Sequence, residues 1–279
     1  MNTYLKTFLL LGVLSVIVVW IGGLVGGQGG VVTAFIFALL VNGGMYFFSE
    51  KLALSMSHAK PLERKDHKEL YQIVEELSDK IKIPMPKLYI TPDMQANAFA
   101  TGRGPGHASV AVTQGILDML SMEELRAVLA HELAHVKNRD VLIATIAAVL
   151  ASVISFIANM AMFGGFGGRD SEENRGGGML GLVFALLMPI GASIIQMAIS
   201  RQREFGADET GARTIGSGES LAKALVAIHD SARRAPMQSN PALSSLYIGD
   251  PSGGFGGKML QLFSTHPPVE ERIKRLRKI

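Results

Sequence analysis

Four stretches of the chain are apolar enough and long enough to cross a bilayer as helices: residues 7–26, 31–48, 141–163 and 179–200. The first stretch has no convincing small-residue cleavage site and runs almost at once into the second, so we interpret it as an anchor rather than a removed signal peptide. A soluble domain rarely contains four such stretches. The pattern therefore predicts four transmembrane helices in two hairpins, residues 1–48 and 141–200.

The two polar pieces of the chain, residues 49–140 and 201–279, are together long enough for one domain with its own core. The first piece opens with a polar helical stretch near residues 66–81 and continues through three short strand candidates, KLYI, NAFATG and SVAVT. The second piece has a mainly helical pattern, interrupted by a Pro/Gly/Ser-rich interval at residues 236–257. These patterns predict an α+β fold that is mainly helical and contains a small sheet.

The basic residues indicate the orientation of the chain in the membrane. If all four apolar stretches cross, all but two of the 27 Lys and Arg residues fall on one side. By the positive-inside rule that side is the cytoplasm, which then also contains both termini. The connections on the other side are short: GQGG at residues 27–30 and a glycine-rich loop at residues 164–178. The net charge of +3 therefore reflects topology and contact with anionic lipid, not nucleic-acid binding.

The sequence SMEELRAVLAHELAHVKNRD contains the pattern His131-Glu132-x-x-His135. Ser121 and Glu124 match the S-x-x-E capping box, and apolar residues follow at helical spacing, so a helix is predicted. Residues four apart on a helix differ by about 40° around its axis, so both imidazoles can reach one ion. Glu132, about 100° from His131, then lies beside that ion. The alternative is a chance pattern of two ordinary helix histidines.

A metal site in this chain must use His, Asp or Glu, because there is no Cys for disulfides or thiolate ligands. The third and fourth apolar stretches would form a hairpin whose cytoplasmic ends are neighbours. Glu204 lies four residues beyond the fourth stretch, at a depth that matches His135, so we predict it as the third zinc ligand, with water in the fourth position. Asp208, one turn further on, is predicted to accept the free ring N–H of a ligand histidine, with His131 preferred.

Simple ion pairs are the alternative for these two carboxylates. Glu204 could pair with Arg201, and Asp208 with a nearby basic residue. Two other acidic residues, Glu209 and Asp140, are close to these motifs in the sequence but are not predicted as ligands. Glu209 is expected to point elsewhere, and Asp140 is expected on the wrong side of the histidine helix.

Four sequence blocks, HELAHVKNRD, SRQREFGADE, NAFATG and STHPPVEERI, together resemble the HtpX family of membrane-bound zinc metallopeptidases, which are relatives of the CaaX prenyl proteases and of the wider gluzincins. The resemblance covers nearly the whole chain. It implies a zincin-type catalytic domain on the cytoplasmic face of the bacterial inner membrane, a stress-response role in quality control of misfolded membrane proteins, and one zinc ion per chain. The equivalents of His131, His135 and Glu204 would bind that zinc, and the equivalent of Glu132 would be the catalytic acid/base.

Two further features are candidates for catalysis and substrate binding. His266 precedes two prolines that fix a rigid turn, so we predict it as a donor to the oxyanion; an ordinary loop histidine is the alternative. The strand candidate around Asn97, Ala98, Phe99 and Ala100 could pair with an extended peptide, unless it is an ordinary internal strand. The interval at residues 236–257 is a hypothetical lid.

The sequence therefore favours a zinc endopeptidase whose partners are polypeptide substrates, chiefly membrane proteins, and the lipid bilayer. Two other classes of protein stay open. A membrane zinc carrier or sensor would use the three ligands without hydrolysis, which leaves Glu132 without a role. A structural scaffold would carry the motif by accident. The oligomeric state does not follow from the sequence.

Overall fold

The computed structural model describes residues 3–147, 201–234, 246–249 and 267–279. Within these ranges the chain is mainly helical with one small sheet, which confirms that part of the predicted fold. Residues 141–147 are also helical. The elements, in chain order, are α1 (Thr3–Met56), β1 (Lys60–Pro61), α2 (Lys68–Ile81), β2 (Lys87–Thr91), β3 (Ala98–Gly104), β4 (His107–Thr113), α3 (Gln114–Met119), α4 (Met122–Lys137), α5 (Arg201–Ile215), α6 (Glu219–Arg234) and α7 (Val269–Leu276).

Helix α1 is two helices joined at a kink. Gly27 has φ 58° and ψ −142°, a conformation that glycine adopts without steric cost, and it interrupts the helix inside the GQGG sequence. The side-chain amide of Asn42 donates a hydrogen bond of 2.7 Å to Ser15 Oγ, 27 residues earlier. The first two apolar stretches therefore pack side by side as a hairpin.

One helix among the described residues, Gly26–Met56, is long and apolar enough to cross a membrane. Its 31 residues span about 46 Å, which exceeds the hydrocarbon thickness of a bilayer. The helix therefore extends beyond the predicted stretch at residues 31–48. Its last turns are buried against the rest of the protein at Ser49 and Ala53. Most of the third apolar stretch and the whole of the fourth lie outside the described residues.

The sheet has the strand order β1-β2-β4-β3, so β3 is an edge strand. Strands β2 and β4 are parallel, whereas β3 and β4 are antiparallel. The main-chain N–H of Thr113 donates to the carbonyl of Asn97 at 3.0 Å, so the main-chain groups of Asn97 face β4. Because these groups alternate along a strand, those of Ala98 and Ala100 face outward from the sheet.

Helix α4 forms the centre of the domain. Its predicted capping box is present: Ser121 N donates to Glu124 Oε2 at 2.9 Å, and Glu124 N donates to Ser121 Oγ at 3.3 Å. Helix α4 packs against β3, α2, α5 and α6. All five residues of its predicted apolar stripe are at most 1% exposed: Leu125, Val128, Leu129, Leu133 and Val136.

Helix α5 lies close against the backbone of α4 at Gly211. A Cβ atom on Gly211 would lie 3.0 Å from His131 N and 3.1 Å from His131 Cα. Glu204 and Asp208 precede Gly211 by seven and three residues, so all three lie on one face of α5. The absence of a side chain at Gly211 therefore lets both carboxylates reach the histidines of α4.

We expect Gly211→Ala to destabilise the protein by about 1–2 kcal/mol, because overpacking against the α4 backbone costs more than the roughly 1 kcal/mol that alanine adds to a helix. Gly206→Ala is the matched control in the same helix, since a Cβ there meets no atom within 4 Å. That variant should be slightly stabilised. Thermal unfolding of the purified protein measures both effects, and equal stabilisation of the two variants would contradict the close approach at Gly211.

Candidate metal centre

Three side chains converge between α4 and α5. His135 Nε2 lies 3.2 Å from His131 Nε2 and 3.5 Å from Glu204 Oε1. The other carboxylate oxygen, Glu204 Oε2, lies 3.9 Å from His131 Nε2. His131 and Glu204 are buried, and His135 is largely so. The structure thus brings together the three residues that the sequence predicts as metal ligands.

The spacing of these donor atoms fits a zinc ion. Tetrahedral zinc with bonds of about 2.0–2.1 Å to nitrogen or oxygen separates two ligand atoms by about 3.3 Å. The observed separations of 3.2 and 3.5 Å are close to this value, and a small rotation of the Glu204 carboxylate would bring one oxygen near both nitrogens. Two imidazoles and one carboxylate are also a donor set that catalytic zinc sites use, with the fourth position left to water or substrate. The residues present therefore fit the group that the sequence predicts.

A buried carboxylate contacts the outer nitrogen of each histidine. Asp208 Oδ1 lies 2.9 Å from His131 Nδ1, as expected from its position one turn after Glu204. Asp140 Oδ2 lies 3.4 Å from His135 Nδ1. Such contacts fix the orientation of a ligating imidazole and increase its basicity.

The expected placement of Asp140 on the wrong side of the helix is therefore wrong. Helix α4 ends at Lys137, and Arg139 adopts a left-handed conformation with φ 63°. This turn holds Asp140 against the end of the helix, where Asp140 N donates to the carbonyl of His135 at 3.0 Å. Helical periodicity cannot predict a contact made after the helix has ended.

Arg272 of α7 is part of the centre and was not predicted from the sequence. Its guanidinium binds Asp208 in a fork, with Nε to Oδ2 at 2.9 Å and Nη2 to Oδ1 at 2.7 Å. Nη2 is also 3.5 Å from His131 Nε2, and Nη1 is 3.9 Å from Glu204 Oε2. Asp208 thus contacts both His131 and a basic residue. The predicted contact with a histidine and the alternative, an ion pair, are therefore both present.

A sequence signal for Arg272 does exist. Residues 269, 273 and 276 are Val, Ile and Leu at helical spacing, and Arg272 falls on the same stripe of α7. Arg272 is only 1% exposed, and a buried arginine needs an acidic partner. A charged residue on the apolar face of the closing helix therefore indicates a buried ion pair, although not which carboxylate forms it.

Glu132 is buried beside the three donors. Burial raises its pKa to about 8, and the charge of Glu204 adds to this, while His135, Arg272 and a hydrogen bond from the main-chain N–H of Ala100 oppose the rise. A carboxyl group whose pKa lies near neutrality can both accept and release a proton at physiological pH. This is the property required of a general acid/base.

The two histidines differ in their protonation. Burial lowers the pKa of His131 to about 4, against the opposing effect of Asp208. Burial alone would also lower the pKa of His135, but the charges of Glu204, Asp140 and Glu132 raise it to about 9. At neutral pH and without metal, His131 is therefore neutral and His135 carries a proton.

The predicted substrate strand lies at the edge of the sheet, and not inside it. Its four residues are not equivalent, however. Asn97 and Phe99 direct their main-chain groups toward β4, and the carbonyl of Ala98 accepts a hydrogen bond of 3.0 Å from Ile248 N. Ala100 faces outward next to Glu132. Main-chain polar groups point alternately to the two sides of a strand, so neighbouring residues of β3 face β4 and the outer edge in turn.

Two other sequence-based expectations fall on residues that are not described. His266 lies outside the described ranges, and of the interval at residues 236–257 only residues 246–249 are described. The predicted roles of His266 in catalysis and of the interval as a lid stay predictions.

Comparisons with known proteins agree with this geometry. The sequence pattern of peptidase family M48 matches residues 64–279. A protein named "Protease HtpX homolog" from Syntrophobacter fumaroxidans is 49% identical over 282 residues, with 99% of each chain covered. One of the same name from Pelotomaculum thermopropionicum is 50% identical over 275 residues, covering 98% of this chain and 97% of its own.

A solved structure shares the fold at a greater distance. The crystal structure of S. mikatae Ste24p matches with a TM-score of 0.50 and 21% sequence identity. The match covers 88% of this chain and 57% of Ste24p, so this chain corresponds to little more than half of that protein. This likeness shows the fold.

We expect the purified protein to hold one zinc ion per chain and Glu204→Ala to lose it, because two imidazoles alone leave the site without its carboxylate. Glu209→Ala is the matched control: Glu209 lies on the same helix but is exposed and pairs with Arg213 at 2.9 Å. Metal analysis by mass spectrometry reads out both variants. Full zinc occupancy in Glu204→Ala would exclude Glu204 as a ligand.

Zinc affinity should rise with pH up to about 9, the pKa of His135 in the metal-free protein. Zinc binds neutral imidazole, so at pH 7 His135 must lose a proton on binding, whereas His131, with a pKa of about 4, is already neutral. Zinc uptake at pH 7 should therefore release at least about one proton per ion. Calorimetric titration in buffers of different ionisation enthalpy measures this release, and binding without proton release would contradict the assignment.

Proposed function

Because the chain belongs to peptidase family M48 and is a membrane metalloprotease, we propose that it is a zinc endopeptidase of the bacterial inner membrane that hydrolyses misfolded or damaged membrane proteins at the cytoplasmic surface. The observation that carries the proposal is the position of Glu132. It lies next to three convergent donors, it is buried, and it is hydrogen-bonded to the edge strand. A site that only stored or sensed zinc would not need this carboxyl group.

The proposed hydrolysis assigns a task to each buried group. His131, His135 and Glu204 hold the metal, while Asp208 and Asp140 orient the two imidazoles. A bound zinc ion supplies Lewis-acid polarisation of the scissile carbonyl and makes a water molecule more acidic. Glu132 accepts the proton of the attacking water and then passes it to the leaving amine.

The main-chain N–H of Ala100 couples the acid/base to the substrate strand. It donates to the Glu132 carboxylate, so the proton-transfer group is fixed to the edge with which a substrate would pair. Main-chain pairing does not depend on the substrate's side chains. Such binding suits an enzyme that cleaves unfolded segments of many sequences.

We assign His266 as a donor to the developing oxyanion. Pro268 caps α7, and α7 brings Arg272 to within 3.5 Å of His131 Nε2. His266 lies two residues before Pro268 in the sequence, so it is connected directly to a helix that reaches the metal centre. The guanidinium of Arg272 supplies a further positive charge near the reacting carbonyl.

The position of β3 supports cleavage at the membrane surface. Thr101 Oγ1 lies 2.9 Å from Thr145 Oγ1, which is in the third apolar stretch. The guanidinium of Arg103 lies 5.7 and 5.3 Å from the ring centres of Tyr46 and Phe47 in α1. The edge strand therefore runs beside the ends of helices that we assign to the bilayer. Its substrates would be cytoplasmic loops and tails close to the membrane.

Two alternatives account less well for the site. A zinc carrier would place its ligands inside the membrane-crossing helices, whereas His131, His135 and Glu204 lie on α4 and α5, outside the predicted crossings. A structural scaffold would have no need to bury Glu132, Glu204 and Asp208 together, which is costly without compensation.

We expect Glu132→Gln to retain one zinc per chain and to lose polypeptide cleavage by a factor of about 10²–10⁴, the usual contribution of a general acid/base. Unfolded casein serves as the substrate. Glu209→Gln, an exposed site on α5, is the control and should cleave normally. Normal cleavage by Glu132→Gln would refute the mechanism. Loss of zinc from that variant would show that Glu132 is needed for metal binding and would contradict its assignment as acid/base alone.

In a model multispanning substrate, reconstituted with the protein in vesicles, cuts should fall mainly in unstructured cytoplasmic segments close to the bilayer. The reason is that β3 lies beside the cytoplasmic end of the helix in α1 that we assign to the bilayer. Pairing with β3 also requires an extended substrate chain. Mass spectrometry of the products maps the sites. Cuts within the transmembrane helices or only in periplasmic loops would overturn the proposed topology.

A further inference from the structure

Residues 246–249, Leu-Tyr-Ile-Gly, lie against the outer edge of β3, and we refer to them as the LYIG segment. Ile248 N donates to the carbonyl of Ala98 at 3.0 Å. The side chain of Asn97 binds Gly249 twice: its Nδ2 donates to Gly249 O at 3.1 Å, and its Oδ1 accepts from Gly249 N at 3.3 Å. Arg272 Nη1 donates to Ile248 O at 2.8 Å. All four main-chain polar groups of Ile248 and Gly249 are thus hydrogen-bonded.

The side chains of the LYIG segment fill a row of apolar positions. The ring of Tyr247 meets that of Phe99 edge-on, with the centroids 5.2 Å apart, and is fully buried. Ile248 joins the main hydrophobic core. A Cβ on Gly249 would lie 2.6 Å from Ile228 Cγ2, so a side chain at this position would force Ile228 or the segment to shift. We call the surface that these side chains occupy along the outer edge of β3 the substrate groove. It therefore fits an aromatic residue, then an aliphatic one, then glycine.

The LYIG segment also lies beside the catalytic groups. Its contact at Ala98 is two residues from Ala100, whose N–H binds Glu132 on the same edge. The guanidinium that holds Ile248 O is 3.5 Å from His131 Nε2 and 3.9 Å from Glu204 Oε2. A substrate strand that pairs with this part of the edge needs the same carbonyl of Ala98 and would meet the same side-chain amide of Asn97.

We infer that the LYIG segment is an internal competitor, which occupies the substrate groove and must leave before an extended polypeptide can bind. The inference rests on the proposed peptidase function and deepens it in one respect. The groove selects extended apolar segments with an aromatic residue followed by an aliphatic and a small one, the kind of sequence that unfolded membrane proteins expose. The segment belongs to the Pro/Gly/Ser-rich interval at residues 236–257, whose turn-forming composition is typical of a connection between elements and not of a regular core strand.

An internal competitor lowers the apparent affinity for substrate by the fraction of molecules in which the groove is open. Weakening its anchor should therefore strengthen substrate binding. If the segment were instead a permanent part of the domain, weakening its anchor would damage the groove and weaken substrate binding. The two cases predict opposite signs for the same substitution.

The binding experiment uses the full-length Glu132→Gln chain, loaded with zinc in nanodiscs, and a fluorescent peptide of sequence SSLYIGD, which copies residues 244–250. Anisotropy should show that Tyr247→Ala in this background binds the peptide at least roughly 3- to 10-fold more tightly, the range that loss of the edge-on ring pair alone gives. Tyr247→Phe, which keeps the ring contact, should bind like the parent chain. The same peptide with proline in place of isoleucine lacks the N–H for Ala98 and should not bind.

Gly249→Ala provides a second variant, because its methyl group would collide with Ile228 and displace the segment without removing the aromatic ring. It should also bind the peptide more tightly. Zinc content and thermal unfolding verify that each variant is folded. Weaker or unchanged peptide binding in the folded variants, or equal binding of the proline peptide, would overturn the inference.

Steady-state kinetics of the active chain separate this inference from the proposed function. Tyr247→Ala should lower KM for casein by a similar factor and leave kcat nearly unchanged. If the zinc-loaded wild-type chain cleaves no polypeptide, the proposed function fails. If it cleaves but KM does not fall in Tyr247→Ala, the internal competitor alone is excluded.

Discussion

The buried ion pair between Asp208 and Arg272 is the interaction on which the rest of the centre depends. It joins α5 to α7, and its two partners also contact His131 of α4 and the carbonyl of Ile248. Burial would raise the pKa of Asp208, but Arg272 overrides this effect and holds it below its ordinary value of 3.8. The pair therefore contributes stability at neutral pH that is lost as the pH falls below about 4. Removing one partner leaves a buried charge, at a cost of about 3–5 kcal/mol.

The sequence was sufficient for features that arise within one element. The capping box at Ser121 marked the start of α4, and the four-residue spacing of His131 and His135 placed both imidazoles on one side of it. The same spacing put Glu204 and Asp208 on one face of α5. The glycine-rich connection between the first two apolar stretches contains Gly27, where α1 is kinked. Each of these features depends on local backbone geometry, which a single sequence encodes directly.

Contacts between distant segments could not be predicted in this way. Arg272 is 64 residues from Asp208, and Ile248 is 150 residues from Ala98, so no periodicity connects them. Asp140 was misplaced because the left-handed turn at Arg139 breaks the helical geometry on which the expectation rested. The LYIG segment lies in an interval whose composition indicates a loop, although four of its residues are as buried as a core strand. Composition indicates which backbone conformations a segment can adopt, but not which contacts the segment makes in the folded protein.

The second part of α1, beyond the kink at Gly27, runs unbroken into the domain, and this has a mechanical consequence. The helix Gly26–Met56 enters the domain without a break, and its last turns are held there by the burial of Ser49 and Ala53 and by a hydrogen bond of 2.7 Å from Ser109 Oγ to Glu50 Oε1. The domain cannot turn relative to this helix without breaking these contacts. A helix longer than the local hydrocarbon thickness tilts in the bilayer. If the helix crosses the bilayer as proposed, any such tilt is transmitted as a rotation of the whole domain, and the thickness of the surrounding membrane then sets the height and angle at which the edge of β3 meets the membrane surface.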